Sequence, residues 1–181
     1  MIAVPPALAH ILGNKEGNIT SDFSDLFAFL NRLPFGRYVF SGLVSAYAPN
    51  NAFYAAVITD LSPSKCECYQ PDFPWYRNPF SSMHAVAIIS LGELASGVAI
   101  VAALQRTKRI RGIPVKIEAK YYQKVRGTAY ATAMTDIADI QTSGKKQFIT
   151  PIKNASGQLC AEVSVTWDFK VEGADESAKN E

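Results

Sequence analysis

NPFSSMHAVAIISLGELASGVAIVAAL, the stretch from Asn78 to Leu104, decides how the rest of the chain must fold. From Met83 onward it is nearly all apolar, with Glu93 its one charged side chain. Two readings compete. Roughly 20 apolar residues can span a bilayer, and Arg106, Lys108, Arg109 and Arg111 follow as a positive flank. Alternatively, residues 82–104 form a helix that is apolar all round and therefore buried in a protein core. Glu93 favours the second reading, because a charge at the bilayer centre costs about 2.5–3.5 kcal/mol. The many Ala, Gly and Ser residues point the same way, as do the strand-like segments downstream, which need a core to pack on. We expect a buried helix and no membrane span.

Working outward, Phe23, Leu26, Phe27, Leu30 and Leu33 recur at helical spacing. They predict an amphipathic helix over 20–34, capped by Thr20 or Ser21 and ended by Pro34 and Gly36. Residues 37–47 are rich in β-branched and aromatic side chains and read as a strand, closed by the turn signal Pro49-Asn50-Asn51. Further extended pieces are expected over 53–59 and 66–69. Pro71, Pro74 and Pro79, set among Phe73, Trp75, Tyr76 and Phe80, predict a loop that leads into the long helix. Downstream, strands are expected over 113–122, 127–135, 146–153 and 158–170. Turns at 124–127, 143–144 and 154–157 would join them as an antiparallel meander.

No internal repeat and no long linker divides the chain. The expectation is one α+β domain over 1–170 with an extra N-terminal helical extension over about 1–35, then a disordered tail over 171–181. The 181 residues are 48% hydrophobic and 19% charged, as in an ordinary globular domain. A net charge of +2 gives no strong pull toward nucleic acid, and no nucleic-acid partner is expected. Cys66, Cys68 and Cys160 are an odd, small set that fits a reducing compartment better than a disulfide framework. Cys66 and Cys68 could be half of a metal site, but no Cys or His cluster completes it, so no metal is expected. Residues two apart on a strand share a face, which is the plain reading of that pair. No basic segment followed by an apolar run opens the chain, so no secretory leader is expected. Glu16, Asp22 and Asp25 precede the first arginine, Arg32, which argues against a transit peptide. A cytoplasmic location follows.

The order of segments, together with the spacing of Asn78, His84 and Glu93, resembles the hotdog-fold acyl-CoA thioesterase superfamily. Its signature sets Asn or Gln six residues before a His and an acid nine residues after it. Lys120-Tyr-Tyr-Gln-Lys-Val-Arg126-Gly and Ser156-Gly157-Gln-Leu-Cys-Ala161 resemble the family's later strands, and the resemblance covers roughly 36–169. It implies a long helix wrapped by a curved antiparallel sheet, an acyl-CoA or fatty acyl partner, a homodimer or dimer of dimers with sites at the interface, and no cofactor beyond the CoA of the substrate. Three positions depart from the pattern. Ala85 and Val86 stand where the family has glycines, and Gly97 stands where it often has a water-positioning Thr. Ser90 or Ser96 is the candidate substitute.

Nine helical residues rotate by about 900°, equivalent to about 180°, and rise about 13.5 Å. If both were helical, His84 and Glu93 would face opposite sides of one helix and meet only across a two-fold axis. In that arrangement the backbone N–H groups of Met83, His84 and Ala85 at the helix N-terminus would polarise a thioester carbonyl. Glu93 would act as base or nucleophile, with Asn78 and His84 orienting water or carbonyl. Plainer roles stand beside these: a buried paired acid for Glu93, a helix-entry hydrogen bond for His84, a loop cap for Asn78. Arg106, Lys108, Arg109, Arg111, Lys120, Lys124 and Arg126 are candidates for the CoA phosphates; cations are also favoured after any helix C-terminus.

Overall fold

The computed structural model describes residues 22–106, 110–135, 137, 140 and 142–171. The expected N-terminal residues 1–21 and the tail beyond Val171 lie outside them. Two short helices come first, α1 (Phe23–Leu30) and α2 (Gly36–Tyr47), followed by a 3-10 segment at Pro49–Tyr54. A hairpin of β1 (Val57–Ser62) and β2 (Lys65–Gln70) then leads through the Pro-rich loop into α3 (Ala85–Leu104). Four strands close the chain: β3 (Ile110–Tyr121), β4 (Ala129–Met134), β5 (Gly144–Lys153) and β6 (Leu159–Val171).

The strands form one six-stranded antiparallel sheet in the order β1-β2-β4-β5-β6-β3. The sheet curves around α3, giving the hotdog architecture. Twelve of the 20 residues of α3 are buried, which answers the membrane question physically: the apolar surface is covered by sheet. The helix is long and apolar enough to cross a bilayer by composition, but 61% of its most apolar window is buried inside the protein. Helix and sheet approach closely at Gly92, where a Cβ would sit 2.4 Å from Val163 Cβ.

Four expectations are corrected. Residues 37–47 are not a strand but the helix α2. Phe40 and Val44, four apart, pack on Phe23 and Phe27 of α1, with Phe27 and Phe40 edge to face at 5.2 Å. Burial at helical spacing overrode the β-propensity of Tyr38, Val39 and Val44. Secondly, 53–59 is not continuous strand: the 3-10 turn takes its first part and β1 begins at Val57. Thirdly, only β4, β5 and β6 form a meander. β3 does not pair with β4 but crosses to the far edge, with Ala119 opposite Val163 and Ile117 opposite Val165. The cap of α1 is Asp22, whose side chain accepts from the Ser24 and Asp25 amides, rather than Thr20 or Ser21.

The N-terminal helices are fastened to the core at two points. Ser41 Oγ donates to Arg37 O and accepts from Ile58 N at 2.9 Å, tying α2 to β1. Arg106, just past α3, pairs with Asp22 at 2.7 Å and Asp25 at 3.1 Å, and Phe23 N donates to Gln105 Oε1 at 2.8 Å. Burial alone would raise the Asp22 carboxyl; the Ser24 amide and Arg106 outweigh it and hold that carboxyl below its usual range.

Candidate functional site

Two cavities flank α3; Asn78 lines one and Glu93 the other, while His84 lines neither. The first, of about 310 Å³, lies at the helix N-terminus and is lined by Asn78, Met83, Ala85, Tyr121 and Lys124 among others. Its wall is set by the Pro-rich loop. Asp72 receives Arg77 Nε at 2.9 Å, Arg77 Nη2 at 3.0 Å and Gly127 N at 2.9 Å, locking that loop to the β3–β4 connection. The Arg77 guanidinium holds the Asp72 carboxyl below its ordinary range, helped by the Gly127 amide.

Asn78 organises its own loop. Its Oδ1 accepts from Phe80 N at 3.0 Å and Ser82 N at 3.3 Å, and its Nδ2 donates to Ser82 Oγ at 3.2 Å. His84 is the helix cap, with extended backbone, and its Nδ1 accepts from Val86 N at 3.2 Å. An accepting Nδ1 places the proton of the neutral ring on Nε2. His84 thus precedes the helix, and its exposed ring can donate outward from Nε2.

The amides here were expected to be free, and two are not. Met83 N donates to Val125 O at 2.9 Å and His84 N to Tyr76 O at 2.7 Å. These bonds hold the loop in place before the helix begins, so only Ala85 of the three retains an unused N–H among the described residues. Tyr121, opposite this end, donates from its hydroxyl to Ala85 O at 3.1 Å.

The second cavity, of about 160 Å³, lies along another face of α3 and holds Glu93 and Gly97. It is roofed by α1 and α2 through Phe23, Val44 and Tyr47. Glu93 is largely buried and has neither a hydrogen-bond partner nor a cation among the described residues; desolvation raises its carboxyl above the ordinary range. Gly97 leaves the space the carboxylate occupies: a Cβ there would lie 3.5 Å from Glu93 Oε1. Ser96 is fully buried and donates to Glu93 O at 3.0 Å, so its hydroxyl is committed to the backbone. Ser90 is half-buried and lines neither cavity.

Of the seven basic candidates, Lys124 alone among those described lines a cavity, with its ammonium 5.5 Å from the Phe80 ring. Arg106 is taken by the two aspartates of α1. Arg111, Lys120 and Arg126 are exposed outside both cavities, and Lys108 and Arg109 lie outside the described residues. Cys66 and Cys68 do share a buried face; mutual hydrogen bonding and burial push the Cys66 thiol well up, so these are packing groups.

Sequence reasoning missed Tyr121 and Trp167 as site residues, and the part of the roof formed by α2. Tyr121 stands inside the stretch that resembles the family's later strands. Trp167 follows Val163 and Val165 at strand period, which marks it as core and hides its polar edge.

A model of the family described as a domain of unknown function, DUF4442, matches residues 36–169. No curated protein matches the sequence. Among solved structures, the fold is similar to a probable thioesterase of Pseudomonas aeruginosa, with TM-score 0.65 and 17% identity over 77% of this chain and 97% of that one. A thioesterase of Haemophilus influenzae aligns with TM-score 0.59 and 16% identity over 72% and 90% of the two chains. A thioesterase of Staphylococcus aureus, an engineered mutant, aligns with TM-score 0.56 and 22% identity over 66% and 96%.

Proposed function

The chain belongs to the DUF4442 family, and from that premise we propose that it hydrolyses acyl-CoA thioesters to free acid and CoA, at a site completed by a second copy. The observation that carries this reading is Glu93, a desolvated carboxyl with no partner among the described residues, beside a cavity in an otherwise apolar helix. An acid half-buried on an apolar helix with no partner among the described residues is a candidate for chemistry. Thioesterases on the same fold support the class of reaction.

In this reading Glu93 takes a proton from water as the water oxygen bonds to the thioester carbon. The oxyanion accepts the Ala85 N–H at the neighbour's helix N-terminus, where the dipole favours negative charge. The C–S bond then breaks, and the proton on Glu93 passes to the departing sulfur. Lys124, which lines the first cavity, is the leading candidate for a CoA phosphate. Completion by a second copy is supported by β3. Ile117 and Tyr121 point to the same side as their fully buried partners Val165 and Ala161, yet stay 44% and 45% exposed. That inner face extends past the cover this chain gives itself. Three free buried cysteines fit a cytoplasmic setting.

The test is turnover of an acyl-CoA panel by the wild type and Glu93→Gln. Hydrolysis lost in the variant by about 10²-fold or more supports the reading; no turnover of any ester, or equal turnover by both, removes it. The second reading, a non-catalytic acyl-binding protein, is favoured by Gly97 and by the occupied Met83 and His84 amides. Tight acyl binding without turnover would select it.

A further inference from the structure

A surface helix ordinarily turns polar side chains to water. The corner between α1 and α2 does not. Its residues Asn31, Arg32, Leu33, Pro34 and Phe35 are all exposed, Leu33 at 51% and Phe35 at 77%. Phe29 before them and Val39 after them are 61% and 50% exposed. On α2, Phe40 and Val44 take the buried face. At about 100° per residue the opposite face carries Tyr38, Val39, Gly42 and Ala46, all exposed and none charged. It continues into Phe35, whose ring lies 6.4 Å from that of Tyr38. The helix is therefore apolar on both sides, and only its inner side is covered. Single exposed apolar side chains are ordinary, whereas a contiguous patch marks an interaction surface.

The corner is firmly built. Phe35 has φ 62° and ψ 9°, in the left-handed region that bulky side chains rarely adopt. Gly36 follows because a Cβ there would run into Leu30 O. Leu33 N donates to Leu30 O at 2.8 Å, and Tyr38 N to Phe35 O at 2.9 Å. Position 35 thus carries phenylalanine against both its backbone and its exposure. Charge is one-sided as well. From Leu26 to Thr59 the sequence has no acid, and Arg32 and Arg37 are its only charges. Neither pairs with an acid among the described residues. Arg37 lies over the Tyr38 ring at 5.0 Å, which holds it beside the patch. The acids at either end are taken, Asp22 and Asp25 by Arg106 and Asp60 by Lys65. An apolar tip flanked by unopposed guanidiniums matches the interface of an anionic bilayer. There aromatic and apolar side chains enter the acyl boundary and arginine meets lipid phosphate. A second copy docked by the same face would set like charges together.

We propose that the α1–α2 corner docks this protein on an anionic lipid surface, with Leu33 and Phe35 entering the bilayer interface and Arg32 and Arg37 meeting the headgroup phosphates. The protein lies on that surface and does not span it, since α3 stays covered by the sheet. The outer side of α1 and α2 then faces lipid, while Phe23 and Val44 on their inner side keep roofing the Glu93 cavity. The proposal goes beyond the hydrolase reading and does not rest on it, because lipid binding needs no turnover.

The test is sedimentation of the full chain with sucrose-loaded vesicles, either phosphatidylcholine and phosphatidylserine in equal parts or phosphatidylcholine alone. Binding is expected on the mixed vesicles, weaker on the neutral ones, and falling as salt screens the arginines. Phe35→Asn is the decisive variant. Asparagine tolerates the left-handed backbone, so the melting temperature should be kept or raised while vesicle affinity falls about tenfold or more. Leu33→Ser should act in the same direction, and Arg32→Gln should cost about fivefold. In Phe35→Trp, brominated lipids should quench emission beyond what they quench in the wild type. Failure to sediment with the mixed vesicles overturns the proposal. Equal binding to both vesicles, or binding that Phe35→Asn leaves unchanged, does so as well. A solution dimer that Phe35→Asn dissociates and Ile117→Lys leaves intact would make a second copy the occupant and overturn it too. Vesicle binding with no turnover of any thioester keeps this inference and removes the hydrolase.

Discussion

At the scale of single residues, Glu93 links function to stability with opposite signs. Its carboxyl is raised by burial, so the folded state binds a proton more readily than the unfolded chain. The stability this gives is fully present below the unfolded pKa and is lost as pH rises through the raised folded value. Catalysis as a base needs the ionised form, so kcat/KM should climb through that same raised value. Glu93→Gln should therefore lose turnover while its melting temperature gains on the wild type, and gains more at pH 8 than at pH 5. A melting curve that falls at pH 8 would mean that the carboxylate has a stabilising partner. The spacing of Asn78, His84 and Glu93 was legible in the sequence, whereas the fate of their hydrogen bonds was not. Which amides Val125 and Tyr76 occupy depends on loops that periodicity cannot register.

Among elements, α3 carries two glycines with opposite tolerance. Gly92 lies where a Cβ would meet Val163 at 2.4 Å, with no flexible end to yield. Gly92→Ala should destabilise by about 1–3 kcal/mol by chemical denaturation, outweighing the roughly 1 kcal/mol that alanine adds to helix propensity. Gly97→Ala meets only ordinary contact distances. It should leave stability unchanged or raised by up to about 1 kcal/mol, by the same chemical denaturation. The long helix was readable because its apolar run admits few alternatives. By contrast α2 was misread, because Tyr38, Val39 and Val44 carry β-propensity and only the seat offered by α1 reveals their helical period. The crossover of β3 was hidden for a related reason: a turn signal at 124–127 marks a reversal without naming the strand beside which the chain comes to rest.

For the molecule as a whole, β3 is a twelve-residue edge whose inner face is only partly covered. Ile117 and Tyr121 leave apolar surface on that face for a second copy to cover. Light scattering should report a dimer for the wild type, and Ile117→Lys should shift it toward monomer. Loss of turnover in the same variant would tie the second copy to the site, whereas full activity as a monomer would sever it.

The ceiling over the acid's cavity comes from Phe23, Val44 and Tyr47, early in the chain, while the acid and the indole belong to α3 and β6. If that cavity takes the substrate, appetite and chemistry are written in separate passages of the polypeptide. Lineages could re-tailor what the enclosure admits by editing the opening helices alone, leaving the reacting wall untouched. Grafting 22–51 between relatives should then exchange chain-length preference as a portable trait.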